Sequence, residues 1–230
     1  MRDQTVLDDP FTGALLGRQQ RFARRRGDAV AFDLDVSVFY GHPRALTPAD
    51  FDDLEALAGP GGTVGLRDVQ IDAPDDWTFL ERFDLVQYTG EGMTVAHDAD
   101  LVRLGPADVD EMTALVTLTN PGPFRPRTIE LGAYLGYRDP FDGRLLAMAG
   151  QRLALPGWTE ISAVCTHPDA RGRGLASRLI RAVGALIVDA GDAPFLHTTA
   201  DNPARSLYES LGFTQRSNVP LDIYRMPGEG

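Results

Sequence analysis

Short hydrophobic runs separated by glycine, proline and aspartate follow one another along the chain, which is typical of a mixed α/β protein. In the first half, the runs predict strands over 29–40, 63–66 and 85–88. Thr47 can cap a helix that begins with Pro48 and continues through Leu57. The glycines between 90 and 98 suggest a boundary, so we expect an N-terminal α/β lobe over 1–93 and a second domain over 98–226.

Beyond residue 98 the pattern becomes denser. Asp142 and Gly143 tolerate positive φ and therefore predict a hairpin turn. The predicted strands are 101–103, 133–138, 145–155, 159–166, 195–199 and 221–226, and the predicted helices are 107–118, 175–190 and 204–210. The order of these elements is that of a mixed α/β fold.

Composition narrows the possible functions. A net charge of −11 argues against a nucleic-acid partner, because phosphate-backbone binding needs clustered cations. One basic cluster, Arg21 with Arg24–Arg26, fits either an anion patch or a solvated helix face, and the helix face is favoured. No hydrophobic run approaches the roughly 20 residues of a membrane helix, and no signal peptide is evident, so we expect a cytoplasmic protein that does not bind membranes. The four histidines show no metal-ligand spacing, and we expect no metal.

The most informative segment runs from Glu160 to Ala176. A β-rich stretch is followed by a turn with Gly172 and Gly174, and the turn opens a helix with one apolar face. Unpaired N–H groups and the positive end of the helix dipole favour phosphate at such a place, and the glycines allow close approach. The sequence therefore predicts an anion-binding turn.

The turn resembles motif A of the GNAT superfamily of N-acetyltransferases, Arg/Gln-x-x-Gly-x-Gly/Ala, which Arg171, Gly174 and Ala176 match. The segment 201–213 resembles the downstream helix of that family, which ends in Leu-Tyr-Glu-x-Leu-Gly-Phe. The resemblance covers about 98–226. It implies the GNAT acyl-CoA N-acyltransferase fold: a mixed, predominantly antiparallel sheet with helices on both faces. The N-terminal lobe precedes it here, and by analogy with two-lobed family members one interpretation of this lobe is a degenerate GNAT-like unit.

The resemblance also implies a position for coenzyme A. The pyrophosphate would lie on the amides of the turn and the first helical residues: Arg171, Gly172, Arg173, Gly174, Leu175 and Ala176. The pantetheine arm would pair with the backbone of Val164, Cys165 and Thr166, filling a gap between two splayed parallel strands. A backbone N–H near Val164 or Cys165 would hold the oxyanion.

Candidate catalytic residues follow from the same resemblance. Tyr208 occupies the tyrosine position of the family, where it acts as general acid toward the CoA sulfur; alternatively it only packs. Glu160 is a candidate general base, direct or through water, or an ordinary strand residue. Asn202 is a candidate CoA contact, but its position before Pro203 also fits a helix cap. If Ala204 sets the register, Asp201 fills the family's asparagine position. Cys165 alternates with apolar residues, which favours a buried side chain over a nucleophile.

The expected function is direct, ternary-complex transfer of an acetyl group from acetyl-CoA to an amine of a small molecule or protein, with a monomer and a homodimer both left open. Two alternatives stay open. A catalytically degenerate acyl-CoA sensor would explain the unusual spacing at Asn202. An aminoacyl-tRNA-dependent transferase, a role of some two-lobed relatives, is opposed by the acidic composition.

Overall fold

A computed structural model of the chain describes residues 2–228. Eleven strands are described in that range: β1 (Ala23–Arg26), β2 (Ala29–Phe32), β3 (Tyr40–Gly41), β4 (Thr63–Arg67), β5 (Thr78–Thr89), β6 (Val102–Leu104), β7 (Tyr134–Arg138), β8 (Leu145–Leu155), β9 (Trp158–Thr166), β10 (Ala193–Thr199) and β11 (Thr214–Arg225). The five α-helices of the same range are α1 (Pro10–Leu16), α2 (Pro48–Ala58), α3 (Val109–Thr119), α4 (Leu175–Asp189) and α5 (Arg205–Ser210). The mixed α/β class predicted from the sequence is confirmed.

Eight strands form one sheet in the order β4-β11-β5-β10-β9-β8-β7-β6. Neighbouring strands are antiparallel except β9 and β10, which are parallel. The sheet is therefore predominantly antiparallel, as expected. A smaller sheet consists of β1, β2 and β3.

The sheet buries both of its faces. Helix α4 packs across β7, β8, β9 and β10, and its apolar side contributes Leu179, Ile180 and Val183 to the core. Because side chains alternate along a strand, the neighbours Leu196 and Phe195 of β10 enter two different cores. Helices α1 and α3 pack against β8. Helices thus lie on both faces.

The N-terminal segment contributes directly to the large sheet. Strand β5 lies between β10 and β11, and β4 pairs with the other edge of β11. The suggested boundary at 90–98 falls in the connection from β5 to β6, so strands from both sides of it share one hydrogen-bonded sheet. Sequence periodicity predicted part of β5, at 85–88, but gave no information on its neighbours.

One strand prediction was wrong. The run 29–40 is not a single strand but forms β2 and β3, joined by a turn that begins at Asp33. The backbone N–H groups of Val36 and Ser37 donate to the Asp33 carbonyl, at 2.8 and 3.0 Å, and the Asp33 side chain accepts from the Asp35 N–H. Aspartate offers such local bonds readily, and they outcompete strand pairing despite the apolar alternation.

The basic cluster is a second correction. Arg24–Arg26 lie in β1, largely exposed, and not on a helix face. The arginines pair along β2 as an edge strand, where charged side chains discourage association with other chains. Helix α1, with Pro10 in its first turn and Asp9 capping it, was missed because its 7 residues are too few for a visible period.

Candidate acyl-transfer site

The glycine turn predicted to bind an anion is exposed at the start of α4. Gly172 and Gly174 have φ of 75° and 72°, a region that favours glycine. A Cβ built at either position meets nothing within 4 Å, so the space in front of the turn is open. Helix α4 has 15 residues, and its first amides lack partners within the helix. The geometry fits a phosphate held by backbone N–H groups.

Two arginines flank the turn. Arg171 and Arg173 are exposed; Arg173 lies over the ring of Tyr137, with its guanidinium carbon 5.6 Å from the ring centroid. Leu175 is buried and anchors the helix, whereas Ala176 is partly exposed behind the turn. The sequence thus placed an exposed cationic rim around free amides, which suits a diphosphate.

The parallel strands β9 and β10 diverge beside this turn. Their pairing extends only from Ala193–Trp158 to Phe195–Glu160. Beyond Glu160, β9 continues to Thr166 and β10 to Thr199 without pairing to each other. The β9 edge at Val164, Cys165 and Thr166 therefore offers backbone groups to an extended ligand, which is the arrangement that the GNAT resemblance implied.

A bulge interrupts β9 at the same place. The register with β8 skips from Ser162 to Cys165 on β9 but only from Gly150 to Met148 on β8. Ala163 lies in the bulge with φ of 52°, which is unusual for a residue with a Cβ. Such bulges re-aim backbone groups next to functional sites. The sequence gave no signal for it, because alanine does not mark left-handed backbone.

A buried polar network occupies the point where β9 and β10 diverge. Glu160 is fully buried and receives two bonds of 2.7 Å from Arg152 and one contact of 2.7 Å from His197 Nδ1. Burial opposes ionisation of Glu160, but Arg152 and His197 outweigh it and hold the pKa at about 2. Both oxygens are engaged, so the contacts favour a positioning role over direct proton removal.

The hydrogen bonds of Gln87 fix the tautomer of His197. Gln87 Oε1 accepts from Arg216, so its Nε2 faces His197 Nε2 as the donor, 3.0 Å away. His197 therefore accepts at Nε2 and donates from Nδ1 to Glu160. Burial lowers the pKa of His197, against the opposite effect of Glu160, which leaves a neutral imidazole. Sequence analysis assigned neither Arg152 nor His197 to the site; only the adjacency of β8, β9 and β10 unites them.

Tyr208, on α5, packs into the core that α4 forms with the sheet. Its ring is 7% exposed and lies 6.2 Å from the rings of Tyr88 and Phe213. Burial raises the pKa of Tyr208 to about 12, so the hydroxyl stays protonated at neutral pH. Within residues 2–228 this hydroxyl makes no hydrogen bond, and it is thus free to donate one.

The remaining candidates have local roles. Asn202 Oδ1 accepts from the Ala204 N–H at 2.8 Å, a turn that leads into α5. Asp201 accepts from the Thr199 hydroxyl at 2.6 Å. Cys165 is buried among apolar side chains, and burial raises its pKa to about 11, which disfavours a thiolate nucleophile.

Across residues 2–228, no three His, Cys, Asp or Glu side chains are grouped so that they could hold a metal ion. None of the helices described in that range has the length and apolarity needed to cross a membrane.

An open helix N-terminus beside two diverging parallel strands defines the class of acyltransferases that hold an extended, phosphate-bearing thioester. The FR47-like protein family matches residues 134–220. A GNAT-family protein of Novosphingobium aromaticivorans DSM 12444 is 35% identical, over 97% of this chain and 98% of its own, with a TM-score of 0.86. The chain therefore belongs to the GNAT superfamily, whose fold supports acyl transfer.

A more distant structure has the same fold. A GCN5-related N-acetyltransferase from Kribbella flavida is 18% identical over 98% of this chain and 95% of its own, with a TM-score of 0.60. No curated protein matches the chain. The similarity thus extends over the whole chain, including the segment before residue 98.

Proposed function

We propose that the chain transfers an acetyl group from acetyl-CoA to an amine by direct attack in a ternary complex. One observation carries the proposal: β9 and β10 stop pairing after Glu160, and the unpaired part of β9 leads to the open, glycine-lined start of α4. Phosphate groups would be held by the amides from Arg171 to Ala176, and the pantetheine arm by the backbone of Val164, Cys165 and Thr166. Acetyl-CoA supplies the activated thioester.

The reaction also requires two proton transfers, and we assign each to a side chain of this protein. The amine must lose one proton, and we assign it to His197, whose Nε2 carries the lone pair and whose Nδ1–H is held by Glu160. Arg152 keeps Glu160 ionised, and an ionised Glu160 stabilises the protonated imidazole. For His197 Nε2 to accept this proton, the hydrogen bond from Gln87 to Nε2 must first break.

The second proton goes to the leaving sulfur. Tyr208 is the donor that we propose, because its hydroxyl is protonated and makes no bond elsewhere in the described chain. The bulge at Ala163 supports a backbone N–H donor for the developing oxyanion. The N–C bond forms and the C–S bond breaks. The amine gives one proton to His197, and Tyr208 gives one to the sulfur. Return of a proton from His197 to Tyr208 through solvent restores both residues for the next turnover.

The test measures CoA binding and acetyl transfer separately. Isothermal titration measures CoA binding, and a thiol-release assay with acetyl-CoA and a panel of primary amines measures transfer. We expect binding and amine-dependent thiol release, with an N-acetylated product detected by mass spectrometry. Tight binding with no thiol release from any amine in a single turnover would instead support a CoA sensor.

The burial of Glu160 and His197 motivates this second candidate. Their side chains are 0% and 3% exposed, so the proposed base is closed off by the N-terminal segment in this conformation. A sensor would use CoA binding at the turn without the network. The single-turnover result separates the two functions.

A further inference from the structure

A cavity of about 160 Å³ lies on the N-terminal side of the molecule, away from the glycine turn. Residues from the start of α1, from β3 and from the end of β4 line it, and Phe11, Tyr40 and Arg67 are among them. The polar side chains of its wall include donors that the chain leaves unused.

Arg67 is the first of these donors. Its Nη1 donates to the Asp8 carbonyl at 2.5 Å, but its Nε is buried and has no partner among residues 2–228. Burial lowers the pKa of Arg67, and the charges of Asp9 and Asp68 offset this only in part, since neither forms an ion pair with the guanidinium. A buried N–H without an acceptor destabilises the folded protein. An anion in the cavity would relieve this cost.

Tyr40 is the second donor. Its side chain is 2% exposed and lines the same cavity, and its hydroxyl has no hydrogen-bond partner in the described chain. Burial raises the pKa of Tyr40, so the hydroxyl remains a neutral donor. Two unpartnered donors therefore share one wall.

Two ion pairs involve the other charges of the wall, and Asp9 accepts the Thr12 N–H but forms no ion pair within residues 2–228. Arg44 forms an ion pair with Asp68 at 2.5 Å, and Asp8 pairs with Arg216. His42 is neutral, because its Nδ1–H donates to the Pro43 carbonyl and its Nε2 accepts from the Arg67 backbone N–H. Arg67 is thus the cation that lacks a carboxylate partner.

The sign and size of the missing ligand follow from this balance. Together with Arg216, which pairs with Asp8, the arginines balance the three aspartates of the wall, so a bound monoanion leaves a smaller excess of negative charge than a dianion such as phosphate. A planar monoanion suits an arginine fork. Phe11 provides an apolar surface for the uncharged part of the ligand.

We propose that this cavity binds a small monocarboxylate through Arg67 and Tyr40. The Phe11 ring, which lines the cavity, lies 6.1 Å from the His197 ring, so the bound molecule would be a neighbour of the acyl-transfer site. The carboxylate is either part of the amine acceptor or a separate effector. The binding proposal itself does not depend on acyl transfer.

Sodium acetate is the probe. Thermal unfolding and titration calorimetry are performed on the full chain with acetate, with chloride at equal ionic strength, with methylammonium and with phosphate. We expect a saturable rise in Tm with acetate beyond that with chloride. The same response should persist in Gly174→Glu, in which the glycine turn is blocked as an alternative anion site.

Two arginines of the wall form a matched pair of variants. Arg67→Gln should abolish the acetate response, whereas Arg44→Gln, which removes an already paired cation, should retain it. Tyr40→Phe should weaken acetate binding about tenfold, the value of one hydrogen bond to a charged group. Since Arg67→Gln also loses its bond to Asp8, arginine side-chain NMR of the wild type provides a second readout: one Nε–H signal, absent in Arg67→Gln, should shift on addition of acetate.

The proposal is overturned if acetate acts no differently from chloride, if Arg67→Gln responds like the wild type, or if phosphate binds in place of acetate. Kinetics distinguish the two sources of the carboxylate. Acetate competes with an amino-acid acceptor if the cavity holds the acceptor's carboxylate, and it does not compete if the cavity holds an effector. If the chain transfers no acetyl group at all, the binding measurements still decide the proposal.

Discussion

At the scale of single residues, the environment of each side chain determines which chemistry it supports. Glu160, the carboxylate that sequence analysis named as a candidate base, is held ionised by Arg152 and is a poor proton acceptor. His197, on the neighbouring strand β10, is neutral and has a lone pair at Nε2. The proposed base is therefore the histidine, oriented by the glutamate.

The first prediction concerns this pair. Proton acceptance needs a neutral His197, and burial lowers its pKa below 6.5. We therefore expect kcat/KM to be insensitive to its ionisation above pH 6.5 and to fall as the pH drops through the lowered pKa. His197→Gln should reduce kcat by about 10²–10⁴-fold and remove this acid limb.

The comparison must use one amine, so that the amine's own ionisation is common to all profiles. His97→Gln, at an exposed histidine, serves as the control and should match the wild type. Identical pH profiles for His197→Gln and the wild type would exclude the assigned role.

Tyr208 gives the second prediction at this scale. Tyr208→Phe removes the hydroxyl but keeps the ring packing with Tyr88 and Phe213. We expect kcat to fall by about 10²-fold or more while the Kd of CoA, measured by calorimetry, stays within twofold. Tyr224→Phe on β11 is the control. A drop in CoA affinity without loss of kcat would assign Tyr208 to binding.

At the scale of elements, the turn before α4 is the anion site that we propose, and it depends on glycine. Gly174→Glu places a carboxylate in the open space in front of the amides. In the wild type, CoA at 100 times its Kd should stabilise the fold by about 2.7 kcal/mol, and this stabilisation should disappear in the variant. Thermal unfolding with and without CoA measures the difference.

Gly143→Glu is a matched control for backbone strain. Gly143 has φ of 77°, close to the 72° of Gly174, and a Cβ there also meets nothing within 4 Å. Both variants should lose similar intrinsic stability, since both place a side chain in left-handed backbone. Only Gly174→Glu should lose the response to CoA; equal responses would mean that the phosphates bind elsewhere.

At the scale of the whole molecule, the segment before residue 98 is built into the sheet. Strand β5 hydrogen-bonds to β10 on one side and to β11 on the other, and α1 packs against β8. A fragment of residues 94–228 would leave β10 and β11 without their common neighbour. We expect that fragment to show no cooperative thermal transition by circular dichroism.

The full chain, prepared identically, is the control and should melt cooperatively. A fragment that melts in a single sharp transition would instead establish 98–226 as an independent domain, as the sequence suggested.

Interactions between residues close together in the chain determined many of the structural elements of this protein. The sequence predicted the glycine turn, the helix after it, the Leu-Tyr-Glu helix and most strands beyond residue 98. It could do so because helix starts, turns and amphipathic periods depend on neighbours along the chain. The family resemblance rested on the same contiguous residues, and the comparisons confirm it.

Only the tertiary structure decided what depends on contacts between distant residues. The insertion of β5 between β10 and β11, the bulge at Ala163 and the joining of Arg152, Glu160 and His197 are all consequences of strand register. Register is set by packing across the whole sheet and leaves no local pattern. The unpaired donors of Arg67 and Tyr40 became visible for the same reason: whether a polar group has a partner is a property of the folded molecule.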